Sequence, residues 1–140
     1  MDEARRKAME AVYRATDYVV RGDVSTVVIR IGERCPAVDD LLGEARETWA
    51  FMTAWNPYSQ ELPAEENARR QNELIEELNA KGLRFFHGAG EDPNGAWPAE
   101  ESLLVLGIDR GSAIGLAEKF EQNAIVFGRR TEPAELVWCI

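Results

Sequence analysis

Histidine, cysteine and positive charge are all scarce in this chain, and each shortage closes off a class of function. There is one histidine, His87, and there are two cysteines, Cys35 and Cys139. Structural zinc sites draw on clusters of these residues at short spacings, and no such cluster exists here, so no metal is expected. Two cysteines so far apart in sequence make no disulfide framework, and two free thiols are expected. Cys139, next to the last residue, is expected to be exposed. Lys and Arg together number 16 against 25 Asp and Glu, a formal net charge of −9. Nucleic-acid binders neutralise phosphates with clustered cations. Arg5-Arg6-Lys7, Arg69-Arg70 and Arg129-Arg130 are short and lie among carboxylates, so DNA or RNA is not expected as the main partner.

Long apolar runs are missing too. Leu103 to Leu106 is far too short to span a bilayer, and the charged start, Met1-Asp2-Glu3-Ala4-Arg5-Arg6-Lys7, leads into no signal-peptide core. The expectation is a cytoplasmic protein that binds no membrane. No GxxxxGK[ST], GxGxxG or GxSxG pattern occurs. Gly88-Ala89-Gly90 resembles part of a phosphate loop, but it leads into Glu-Asp-Pro instead of a helix. No cofactor is expected.

What is present reads as one α+β domain over residues 1–140. Ala4, Ala8, Ala11, Val12 and Ala15 have helical spacing. Tyr18 to Val20 and Ser25 to Ile31 form a hairpin across Arg21-Gly22-Asp23. Pro36 opens a short helix, and residues 49–54 are a strand ended by Asn56-Pro57. A helix follows from Pro63 to Gly82, then strands at 83–87 and 102–108. Ser112 is expected to cap another helix, with strands at 124–127 and 134–138 beyond it.

From residue 49 the order is that of a ferredoxin-like βαββαβ core, a mostly antiparallel sheet with both helices on one face. The N-terminal helix and hairpin would extend that sheet or cover its other face. This connectivity sends Thr53, Asn56, Asn67, Arg70, His87, Glu101, Ser102, Gln122 and Asn123 to one end of the sheet, beside Trp55, Tyr58 and Trp97. Directed polar groups beside aromatic walls suit a small-molecule or nucleotide-like ligand. Asn67 and Arg70, one helical turn apart, would hold an anion or brace the 55–62 loop. One alternative is a small enzyme with Glu101 or His87 as acid or base. Another is a protein-interaction or assembly module, monomer or homodimer, with Trp138 at an interface.

Thr53-Ala54-Trp55-Asn56-Pro57, Glu66-Asn67, Arg70, Gly88, Gly90, Trp97-Pro98, Glu101-Ser102 and Gln122-Asn123-Ala124-Ile125-Val126, with Tyr18 and Ile31-Gly32, resemble a bacterial family catalogued as domain of unknown function 3293. Pro63 departs from its pattern, where a capping serine is more usual. The resemblance implies no activity, substrate or cofactor.

Overall fold

The computed structural model describes all 140 residues, Met1–Ile140. Four α-helices and seven strands make up the chain. Helix α1 spans Glu3–Ala15, and the Asp2 side chain caps it by accepting from the Arg5 amide at 2.7 Å. Strands β1 (Asp17–Arg21) and β2 (Thr26–Ile29) form the expected hairpin, and α2 (Pro36–Leu42) begins on its proline. Then come β3 (Thr48–Met52), α3 (Ala64–Ala80), β4 (Arg84–Glu91), β5 (Glu100–Leu106), α4 (Arg110–Lys119), β6 (Ala124–Arg129) and β7 (Glu135–Trp138). No helix is long and apolar enough to cross a membrane.

One sheet holds every strand, in the order β2-β1-β4-β5-β3-β6-β7, with each neighbouring pair antiparallel. Strands β3 and β4, joined through α3, therefore run parallel with β5 between them. Strands β5 and β6, joined through α4, run parallel with β3 between them.

Side chains alternate across a strand, so each strand serves two cores. On one face, Ala50, Met52, Leu103, Val105, Ile125 and Phe127 pack against Leu74 and Leu78 of α3 and Ala113, Leu116 and Ala117 of α4. On the other, Trp49, Phe51, Leu104, Leu106 and Val126 meet Tyr18, Val20, Val27 and Ile29 of the hairpin and Val38 and Leu42 of α2. The hairpin thus does both things the sequence allowed: it extends the sheet and helps to cover its second face.

Two glycines set how closely the layers approach. A Cβ on Gly128 would lie 2.2 Å from the Trp49 indole, which fills that space, and one on Gly88 would lie 2.2 Å from the Val19 carbonyl oxygen. Without side chains these positions let an indole and a neighbouring strand close in.

Several sequence expectations need correction. Strand β4 continues through Gly88-Ala89-Gly90 to Glu91, because those residues pair with β1 on one side and β5 on the other. His87 is consequently in mid-strand and exposed, not at a loop junction. Asp109, not Ser112, caps α4: its Oδ1 accepts from the Ser112 amide at 2.8 Å. The alanines of α1 face solvent, whereas Met9 and Tyr13 are half-buried. Alanine is favourable on any helix face, and the larger side chains decide which face turns inward.

Candidate functional site

The site starts from a loop that has little freedom. After β3, Asn56 (φ 45°), Tyr58 (φ 51°) and Ser59 (φ 62°) all take left-handed conformations. Asparagine tolerates that region because its short amide can bond locally. Here the Asn56 Oδ1 accepts from the Leu62 amide at 3.1 Å and from Asn67 Nδ2 at 2.8 Å. In return Asn67 Oδ1 accepts from the Asn56 backbone amide at 2.9 Å. Asn67, on the first turns of α3, is only 2% exposed, so this reciprocal pair is a buried clamp.

Other side chains reinforce the clamp. Arg70 Nε donates to the Ala54 carbonyl at 2.8 Å, and its guanidinium also reaches the Phe120 carbonyl and Glu121. Gln71 Oε1 accepts from the Ala54 amide at 2.9 Å. Gln122 Nε2 donates to the Trp55 carbonyl at 2.9 Å, and Asn123 Nδ2 to Ser59 Oγ at 3.0 Å. Helix α3 has no side-chain cap at Pro63, and the chain leaves α4 through left-handed Glu121. Both helix ends are tied to the 53–62 loop by these amides and this guanidinium.

The loop forms one wall of a cavity of about 370 Å³. Tyr18 and Phe51 line it and meet edge to face at 5.3 Å on the second face of the sheet. Helix α1 covers it with Met9, Val12 and Tyr13, a stripe spaced for one helix face that Thr16, the residue capping the helix C-terminus, continues. Trp55, Trp97 and Pro98 also line it. No residue of α1 is fully buried. The helix is held by directed contacts: the Tyr18 hydroxyl donates to the Tyr13 carbonyl at 2.8 Å, Tyr13 meets Trp138 edge to face, and the Arg6 guanidinium lies 4.5 Å from the Trp138 ring centre.

Glu100, the first residue of β5, is one of the residues that line the cavity. Asn56 Nδ2 donates to Oε1 at 2.9 Å, while Oε2 accepts no hydrogen bond and the residue forms no ion pair. Burial raises its pKa above the usual 4.5, and the Asn56 bond opposes the rise. Burial also raises the Tyr13 hydroxyl; the bond with Ser59 opposes that rise, and the nearby Glu100 charge adds to it. Burial is again the main cause for Tyr18, with the charge of Glu100 contributing. These three groups are electrostatic neighbours in a poorly solvated space.

Of the residues the sequence pointed to, Thr53, Asn56, Ser102 and Gln122 reach the cavity wall. Asn67, Arg70 and Asn123 stand behind it, bonded to the loop that forms it. Glu101 turns outward and pairs with Arg21 at 3.4 Å, contributing only its carbonyl, which accepts from Thr53 Oγ1 at 2.6 Å. His87 has the side-chain parity of Phe85, which packs with the α3 and α4 core, so it sits on the face away from Tyr18 and Phe51. Cys139 is half-buried, not exposed, and burial pushes its thiol up to about 11. Glu100, Tyr13, Tyr18 and Gln71 are the residues that sequence reasoning missed. The doubled Glu100-Glu101 was visible, but choosing between them requires the strand's orientation.

A family model described as a protein of unknown function, DUF3293, matches residues 52–125. The chain belongs to DUF3293. The DUF3293 segment contains the whole clamp, from Thr53 to Asn123, together with Glu100. Helix α1, the hairpin and β7 lie outside it, so the cavity joins DUF3293 residues to Tyr13, Tyr18 and Leu136 from the flanking chain. No curated protein and no solved structure matches the chain.

Proposed function

We propose that this protein is a small-molecule-binding domain whose ligand lies between α1 and the sheet, with its polar end at Glu100. The observation that carries the reading is the cavity of about 370 Å³, walled mainly by apolar and aromatic side chains, with Glu100 and Glu61 the only charged residues of its lining. That volume falls within the range of small-molecule pockets, which combine apolar walls with a few fixed polar groups. The braced loop supports the same reading, since Asn56 is fixed by Asn67 before any ligand arrives, and prior fixing lowers the entropy lost on binding.

No Lys, Arg or His lines the cavity, so a nucleotide-like ligand would find no cation for its phosphates. The face occupied by His87 and the ion pair of Glu101 leave an acid–base role for either without support. The Trp138 ring is engaged by Tyr13 and Arg6, so it is not a free interface residue. For the fold we read β3 to β6 as ferredoxin-like; the order β4-β5-β3-β6, antiparallel throughout, supports this, as do α3 and α4 on one face.

Filling the cavity tests the proposal. A Cβ on Gly90 would meet only a Thr16 methyl at 3.8 Å, and Gly90 lines the space. Compounds from a small-molecule library that raise the melting temperature of the wild type are expected to lose that effect with Gly90→Leu, while the unliganded variant still unfolds cooperatively. Stabilisation retained by Gly90→Leu places the ligand elsewhere.

A further inference from the structure

We propose that the cavity takes an organic cation: a protonated amine carried on an aromatic or branched apolar body, with the ammonium at Glu100 Oε2. The proposal rests on the reading of the cavity as a ligand site and specifies the chemistry that site recognises.

The argument begins with what the carboxylate lacks. Glu100 accepts from a single side-chain donor, Asn56 Nδ2, on Oε1, and no protein donor reaches Oε2, which is not sealed from solvent and is free to meet a ligand. A carboxylate can accept about four hydrogen bonds, and a partly buried ionised one is stabilised by further donors or a counter-charge. No basic side chain lines the cavity, and Glu61 at its wall adds a second acidic group. The protein therefore supplies negative charge here and no positive charge to balance it. An ammonium group would provide both the missing charge and up to three donors.

The walls fit the same class of ligand. Tyr13, Tyr18, Trp55 and Trp97 all contribute to the lining. Aromatic faces attract cations through their ring quadrupoles, and aromatic cages are a recurrent way of binding organic ammonium groups. They also provide apolar contact for the remainder of the ligand. An anionic ligand would meet Glu100 and Glu61 with no compensating group and would be repelled. Asn56, fixed by Asn67, keeps the carboxylate in place, so both asparagines act as positioning residues for the charge.

The experiment uses three probes that differ only at the head: 3-phenylpropylamine, 3-phenylpropanol and 3-phenylpropanoate. Each is titrated calorimetrically into wild type, Glu100→Gln and Gly90→Leu at neutral pH. A charge-assisted hydrogen bond predicts that the amine binds wild type on the order of tenfold or more tighter than the alcohol. The propanoate is expected to be weakest. Glu100→Gln is expected to bring the amine down to the affinity of the alcohol without changing the alcohol. Gly90→Leu is expected to remove both.

Equal binding of amine and alcohol to wild type, or an amine affinity unchanged in Glu100→Gln, overturns the cation proposal. If Gly90→Leu still removes both neutral and charged probes, the cavity reading survives that failure. Tighter binding of the propanoate also overturns the cation proposal. Failure of all three probes to bind wild type overturns the cavity reading and the cation proposal together.

Discussion

The two faces of the sheet are covered in different ways. Helices α3 and α4 interdigitate with their face: Leu74, Leu78, Ala113 and Ala117 are at most 1% exposed, and the small side chains of Ala50, Ala54, Ala113 and Ala117 leave room for close approach. Helix α1 buries no residue completely, and Val12, although it lines the cavity, is 50% exposed. Tyr18 and Phe51 stand beneath it, and specific contacts to Tyr13 and Trp138 fasten it. A helix fastened by a few directed contacts over bulky aromatic rings can leave a void that one packed by small side chains cannot. The face that α2 and the hairpin also pack thus keeps a cavity under α1, whereas the face under α3 and α4 is close-packed.

The sharpest way to break this comparison is to truncate the closed side. Leu78 is fully buried between α3 and the sheet, so Leu78→Ala should lower unfolding free energy by about 2–5 kcal/mol in denaturant titrations. A loss comparable to that of a surface substitution would mean that the α3 face is not close-packed. Next come two glycines on one strand face. Gly88→Ala places a Cβ against the Val19 carbonyl and should cost about 1–3 kcal/mol, whereas Gly90→Ala enters open space and should be tolerated. Equal costs would show that β1 and the cavity are not arranged as described.

A smaller effect concerns charge. Because burial raises the pKa of Glu100, its neutral form favours the folded state, and that contribution is lost as pH rises from about 4.5 through the folded value. Glu100→Gln keeps an acceptor for Asn56 and removes the ionisation. Its stability relative to wild type should therefore increase over that pH window and level off at neutral pH. A difference independent of pH would place the carboxylate in water. Smallest of all, Val12→Ala should change stability by less than about 0.5 kcal/mol, in contrast to Leu78→Ala.

Much of this arrangement was legible in the sequence because connectivity alone carries it. Helical spacing, proline positions and β-branched runs located every helix and strand, and the alternation of strands and helices placed Thr53, Asn56, Asn67, Arg70, Gln122 and Asn123 at one end. What was not legible depended on orientation. Glu100 and Glu101 occupy opposite faces of β5, and a period-two pattern does not say which face is covered. In Asp109-Arg110-Gly111-Ser112 either end is a good cap, and only the observed bond chooses Asp109. The cavity itself is assembled from α1, β1 and Leu136 near the two ends of the chain, around the segment from Phe51 to Val126. No local pattern in the sequence records that meeting.

The methionines allow the central claim to be tested directly. Of the three, Met9 on α1 lines the cavity, the Met52 side chain packs with α3 and α4 on the opposite face of the sheet, and Met1 is not part of the lining. In a methyl-labelled methionine spectrum, titration with 3-phenylpropylamine or 3-phenylpropanol should shift the Met9 signal most and leave Met1 in place. An unmoved Met9 signal, or a shift confined to Met1 or Met52, would contradict a ligand site between α1 and the sheet.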